Sequence, residues 1–219
     1  MKSYRNFLFD FDLTLADSSK GIILCYTNVL KENGYLNVST RDICRTIGKT
    51  LVESFHILTG ISDPQKLEDL RHAYTRQADI HMNRNTVFFE DALRMLPLLK
   101  DRGCGIGVIS TKYRFRIQAV FDRDFPGLGL PDLIIGGEDV SHPKPHRESV
   151  DKAMERSGWK LQETLYVGDS TVDAQTAMNG GMDFCGILHG FTSTQELSCY
   201  PHVGIIRSLD ELSFEDKRP

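Results

Sequence analysis

Residues 7–14 read Phe7-Leu8-Phe9-Asp10-Phe11-Asp12-Leu13-Thr14. The first three form an apolar run short enough for a buried strand, and the run stops at two acids separated by one residue. In an extended segment alternate residues share a face, so the two carboxylates are expected on one side at the carboxyl end of the strand. Like charges held together there are costly unless a cation or specific donors offset them. In an open parallel sheet, that end of the strands is where ligands bind. A single Asp at a strand end is usually a local cap, but Asp-x-Asp straight after a wholly apolar strand is harder to read that way.

Working outward, similar apolar runs recur at Ile106 to Ile109, Leu133 to Ile135, Leu165 to Val167, Phe184 to Leu188 and Val203 to Ile206, each expected as a strand. Helical patterns lie between most of them: Phe88 to Arg102 before Gly103, His146 to Ser157 before Gly158, and Asp173 to Asn179 before Gly180. Each glycine stands where a helix end favours a left-handed residue. Strand and helix in alternation give an α/β fold with a Rossmann-like parallel sheet covered on both faces. Residues 16–84 break the pattern and read as an inserted α-helical cap, leaving 1–15 and 85–219 as the core. In the insert, Asp17 and Ser18 begin a helix that Gly34 stops, and Ser39 with Asp42 resembles a capping box. Thr50 to Leu58 and Pro64 to Ile80 read as two further helices, the second with proline in its first turn.

The whole chain of 219 residues is 40% hydrophobic and 26% charged, which excludes disordered and collagen-like classes. Lys plus Arg number 26 against 30 Asp plus Glu, so at a net charge of -4 no basic field invites nucleic acid or an anionic membrane. The five cysteines show no metal-ligand spacing and are odd in number, which fits reduced thiols and a cytoplasmic protein. Neither a signal segment nor a spanning segment is expected. A small-molecule partner is the remaining class.

The later strands end in polar residues of complementary type. Ser110-Thr111-Lys112 offers hydroxyls, backbone donors and a cation. Pro143-Lys144-Pro145 restricts a lysine between two prolines, which favour extended backbone. Gly168-Asp169-Ser170-Thr171-Val172-Asp173 places two acids four residues apart near a helix start. Taken singly, these are a loop lysine and an N-cap; together, at strand ends, they would set acidic ligands for a hard cation beside donors for a phosphoryl group.

In order, the segments DFDLT, VIST, PKP and GDSTVD resemble the four motifs of the haloacid dehalogenase-like superfamily of phosphohydrolases, and the likeness spans nearly the whole chain. DFDLTLADS, Ile47-Gly48 and GDSTVDAQTAMNGG look most like phosphoglycolate phosphatases and their pyrophosphatase relatives. The resemblance implies a first strand lying between the motif-two and motif-four strands, with the small helical cap inserted after motif one. It implies Asp10 as the nucleophile that becomes an aspartyl phosphate, and Asp12 as acid and base. Mg²⁺ would be held by the Asp10 carboxylate, the Asp12 backbone carbonyl and Asp169. Ser110 and Lys144 would bind the phosphoryl oxygens with help from the backbone near Phe11 and Thr111, and Asp173 would support metal-bound water or Lys144.

One departure stands out. Leu13 occupies the position where the family usually has glycine, which puts the geometry of the local loop in question but not the nucleophile. In the insert, Arg45, Gly48, Lys49 and Thr50 form the stretch best suited to a substrate carboxylate or second phosphate, with Lys49 as the candidate ligand; a solvated basic turn is the plain alternative. Lys112, Arg114 and Arg116 read as the exposed face of a helix, and His142 as a surface histidine beside the PKP run. The expected activity is a Mg²⁺-dependent phosphatase of a small phosphorylated metabolite or pyrophosphate, acting as monomer or homodimer without nucleic acid or membrane. A β-phosphoglucomutase-like phosphotransferase is the nearest alternative, weakened by the absence of histidine from Asp17 to Tyr26. A dehalogenase would not need the magnesium acids, and a phospho-acceptor signalling domain would lack the insert. A non-catalytic phosphate-binding protein is the remaining alternative.

Overall fold

The computed structural model describes residues 3–213, so the end residues 1–2 and 214–219 of the expected core lie outside it. The chain runs β1 (Asn6–Phe9), β2 (Ala16–Asp17), α1 (Ser19–Glu32), α2 (Thr40–Cys44), α3 (Leu51–Thr59), α4 (Pro64–His81) and β3 (Val87–Phe88). It continues as α5 (Glu90–Asp101), β4 (Gly105–Ile109), α6 (Arg114–Asp124), β5 (Leu133–Ile135), α7 (Glu148–Ser157) and β6 (Thr164–Gly168). The last elements are α8 (Thr171–Gly180), β7 (Asp183–Ile187), α9 (Thr194–Leu197) and β8 (Gly204–Ile206). Two compact units result: the chain up to Ala16 and from Phe88 onward, and Asp17–Val87.

The first unit is built on a parallel sheet in the order β5-β4-β1-β6-β7-β8, with β1 between β4 and β6. The uninterrupted apolar runs make sense here because both faces of the sheet are covered. Phe7, Phe9, Val108 and Val167 point into one cluster with Ala92, Met95 and Leu96 of α5 and Ile117 and Phe121 of α6. Leu8, Ile109 and Tyr166 point into the other, with Val150 and Ala153 of α7 and Ala174 and Ala177 of α8. A period of two thus divides each strand between two helical layers. The helix expected to start at Phe88 begins at Glu90, because Val87–Phe88 forms a strand paired with β2. Phe88 instead meets Phe121 edge-on at 4.9 Å between ring centroids.

Gly103 and Gly158 take the left-handed conformation that ends their helices, each with φ 69°. For α8 the residue is Gly181, φ 71°, and not the expected Gly180. Gly180 stays helical, and a Cβ there would lie 2.8 Å from Val150 Cγ1, so close packing of α8 on α7 explains it.

The second unit is helical, α1 to α4, around Ile22, Tyr26, Val29, Leu30, Phe55, Leu70 and Tyr74. Tyr26 packs on Tyr74 at 4.6 Å and on Phe55 at 5.0 Å between ring centroids. Ser39 and Asp42 form the reciprocal capping box of α2, and Pro64 opens α4. At the start of α1, Asp17 does the capping: its Oδ1 accepts from Ser19 N at 2.9 Å. Among the described residues no helix is long and apolar enough to cross a membrane.

Candidate active site

The carboxyl ends of β1, β4 and β6 lie side by side because those strands are neighbours in register, Phe9 opposite Val108 and Val167. Residues that leave these three ends therefore converge although they are far apart in sequence. Asp10 N donates to Val167 O at 2.9 Å, which carries β1 one residue further along β6. The chain then folds tightly, with Phe11 O accepting from Leu15 N and Ala16 N, both at 3.1 Å. Leu13 adopts φ 64° and is buried, so this leucine takes the left-handed conformation that a glycine would adopt without cost.

Lys144 is the hub. Its Nζ donates to Asp10 Oδ1 at 2.6 Å and to Asp173 Oδ1 at 2.7 Å, with all three side chains buried. It arrives on a tight turn between the two prolines. His146 N closes that turn on Pro143 O at 3.0 Å, and Asn179 Nδ2 donates to Pro145 O at 2.8 Å. Asp173 is fixed on every side: Tyr166 Oη donates to Oδ1 at 3.3 Å, and Ser170 N and Oγ donate to Oδ2 at 3.1 and 2.5 Å. It therefore caps α8 and orients Lys144 together.

Asp169 completes the cluster. Thr14 Oγ1 donates to its Oδ1 at 3.2 Å. A Cβ on Gly190 would overlap its Oδ2, so the loop after β7 approaches the carboxylate as closely as a bare backbone allows. In the same loop His189 Nδ1 lies 3.1 Å from Thr14 O and its Nε2 lies 3.1 Å from Asp91 Oδ2, tying the loop to the turn after β1.

Asp10, Asp169 and Asp173 present carboxylate oxygens within 4.8 Å of one another. Three acids around one ammonium leave a formal surplus of two negative charges in a buried place. Burial, with Asp173 and Asp12 adding to it, raises the Asp10 carboxyl to about 7 although Lys144 pulls it down. Burial likewise holds Asp169 well above the ordinary carboxylate range, with Asp173 and Asp10 adding to the effect. Burial alone would lower the Lys144 ammonium, but Asp10 and Asp173 outweigh it and keep the group charged. A hard divalent cation among these oxygens would remove the surplus, so the donor set fits Mg²⁺.

Beside the cluster, Ser110 Oγ accepts from Lys112 N at 3.2 Å. Thr111 follows it, half-buried, at the end of β4. Asp12 Oδ1 lies 3.0 Å from Lys112 Nζ. The reading of Lys112 as part of an exposed helix face is therefore corrected: α6 starts at Arg114, and Lys112 belongs to the loop before it, with a buried side chain. Arg114 and Arg116 do lie on α6, where Arg116 covers the Phe115 ring at 4.8 Å. That Lys112 follows an apolar strand by only two residues was the available signal.

Lys49 lies in the second unit, where its Nζ pairs with Glu53 Oε1 at 2.8 Å. Arg45 ends α2, and Thr50 caps α3 by accepting from Glu53 N at 3.2 Å. His142 is exposed and its Nδ1 lies 3.0 Å from Glu148 Oε2. With His146 these two form another group of potential ligand atoms within 4.8 Å. Glu148 is already engaged there by Ser141 N, the backbone and ring of His142, and Lys152 Nζ.

A family model described as haloacid dehalogenase-like hydrolase matches residues 7–187. The chain is 28% identical to pyrophosphatase PpaX of Bacillus velezensis, over 94% of its own length and 93% of that protein's. It is 30% identical to a phosphoglycolate phosphatase of Rhodobacter capsulatus, over 94% and 93% of the two lengths. A solved structure from Bacteroides fragilis, described as a haloacid dehalogenase-like hydrolase, superposes with a TM-score of 0.92 at 50% identity, covering 94% of this chain and 98% of that one.

Proposed function

The chain belongs to the haloacid dehalogenase-like hydrolases, and from that membership we propose that it is a Mg²⁺-dependent phosphatase of a small phosphomonoester or pyrophosphate, working through an aspartyl phosphate on Asp10. The observation that carries this reading is the buried group of Asp10, Asp169 and Asp173 around the single ammonium of Lys144. Such a surplus of carboxylate is expensive in a fold that needs only stability. The named relatives, a pyrophosphatase and a phosphoglycolate phosphatase, favour hydrolysis over transfer to a second hydroxyl.

Asp10, Asp169 and the Asp12 backbone carbonyl are the groups that would hold Mg²⁺. When bound, the cation supplies the charge neutralisation that lets a dianionic phosphate approach an anionic nucleophile. Lys144 anchors Asp10 Oδ1 and, with the Ser110 hydroxyl and the Thr111 backbone N–H, binds the phosphoryl oxygens. Asp10 attacks phosphorus in line, forming the Asp10 oxygen–phosphorus bond as the bond to the leaving oxygen breaks. Asp12 gives its proton to that leaving oxygen. It then takes a proton from the water that attacks phosphorus, releasing phosphate and regenerating Asp10. Asp173 keeps Lys144 aimed at the site. Lys49 remains the candidate substrate ligand in the insert, its Nζ paired with Glu53 Oε1.

The experiment is phosphate release from phosphoglycolate, pyrophosphate, sugar phosphates and nucleotides with Mg²⁺ or EDTA. One strongly preferred substrate is expected, its turnover lost in EDTA and reduced about a thousandfold or more in Asp10→Asn, as for removal of a nucleophile. Full turnover in EDTA or in Asp10→Asn would overturn the reading.

A further inference from the structure

We infer that Lys112 is a positioning residue for Asp12 and Ser110, organising proton delivery to the leaving group; this rests on the phosphatase reading above. The side chains of Lys112 and Asp12 are 8% and 11% exposed, and Nζ lies 3.0 Å from Oδ1. A lysine whose only task was solubility would keep its head in water, where it is strongly hydrated. An ion pair withdrawn from water contributes little to stability after its desolvation is counted, so its retention points to a geometric task.

The geometry supports that task from both ends of the residue. The Lys112 backbone is pinned, its N donating to Ser110 Oγ at 3.2 Å and its O accepting from Gly137 N at 3.1 Å. Its side chain then reaches Asp12 from a fixed origin. The ammonium thereby fixes the direction of the Asp12 carboxyl through Oδ1. The backbone bond fills an acceptor position on Ser110 Oγ, which turns the single proton of that hydroxyl outward as a donor to a phosphoryl oxygen. The site therefore has two cations with separate duties: Lys144 serves Asp10 and Lys112 serves Asp12.

The test separates proton delivery from phosphate binding by changing the leaving group. p-Nitrophenol departs without a proton, whereas an alkyl alcohol needs one. In single-turnover measurements on the Mg²⁺-loaded protein, Lys112→Met is expected to slow alcohol release from an alkyl phosphate about tenfold or more, and release of p-nitrophenol by less than about threefold. Lys112→Arg is expected to recover most of the alkyl rate. Thermal unfolding of both variants distinguishes loss of fold from loss of position. Equal slowing on both substrates, or slowing on neither, would overturn the assignment, as would failure of the arginine to restore the rate in a folded protein. The phosphatase reading fails by a separate result, absence of Mg²⁺-dependent release by the unsubstituted protein.

Discussion

Leu13 carries two opposed energies. Its φ of 64° costs a side-chain-bearing residue about 1–2 kcal/mol, while its 3% exposure means that the leucine gains about 1.5–3 kcal/mol from burial. The two nearly cancel, which is how a leucine persists at a position suited to glycine. Leu13→Ala keeps the strain and loses the packing, so it is expected to cost about 2–4 kcal/mol. Leu13→Gly loses the same packing but relieves the strain, and should be the more stable of the two by about 1 kcal/mol. Chemical denaturation of both variants checks the order, and an alanine variant as stable as the glycine variant would contradict it. The sequence made the exchange of glycine for leucine visible, but the left-handed backbone follows only from the turn that Ala16 and Phe11 close. Lys112 was visible as a cation at the end of β4, but its contact with Asp12 was not, because residue type and spacing do not tell which neighbour a side chain meets.

Strand and helix boundaries were readable where apolar runs met turn residues, and Leu133–Ile135 was expected with the ends it has. They were less readable where a tertiary bond decides the end. The start of α7 is such a place. Glu148 accepts Ser141 N at 3.0 Å and His142 N at 2.8 Å, and pairs with Lys152 Nζ at 2.8 Å. The chain before it is thereby held in a loop where helix from His146 was expected. Lys152 and those two backbone donors hold the Glu148 carboxyl well below its ordinary value of 4.5. A lowered folded pKa stabilises the protein above the ordinary value, and the contribution fades as pH falls below it toward the folded one. Glu148→Gln should therefore melt below the unsubstituted protein at pH 7, with the gap narrowing steadily below pH 4.5. A gap independent of pH would show that charge at this position is not what holds the loop.

Across the molecule, one site is assembled from β1, β4 and β6 and the turn carrying Lys144, on both sides of the long insert in the sequence. That assembly was legible because each strand announced its polar end, and parallel neighbours bring such ends together. Asp10, Ser110, Lys144 and Asp169 were all readable in this way. The pairing of Asp12 with Lys112 and the close approach of Gly190 to Asp169 were not, since each depends on distances set only after the layers pack, whereas the support of Lys144 by Asp173 was one of the two roles expected of that acid. Membership of the haloacid dehalogenase-like hydrolases is consistent with this arrangement of strand ends. The central claim is that Asp10 forms the covalent bond to phosphorus. The most direct measurement is borohydride trapping of the Mg²⁺-loaded protein during turnover, followed by peptide mass spectrometry, because reduction converts an aspartyl phosphate to homoserine. The account predicts homoserine at position 10 only when substrate is present. Turnover that leaves Asp10 unmodified, or places the reduced residue at another acid, would contradict it.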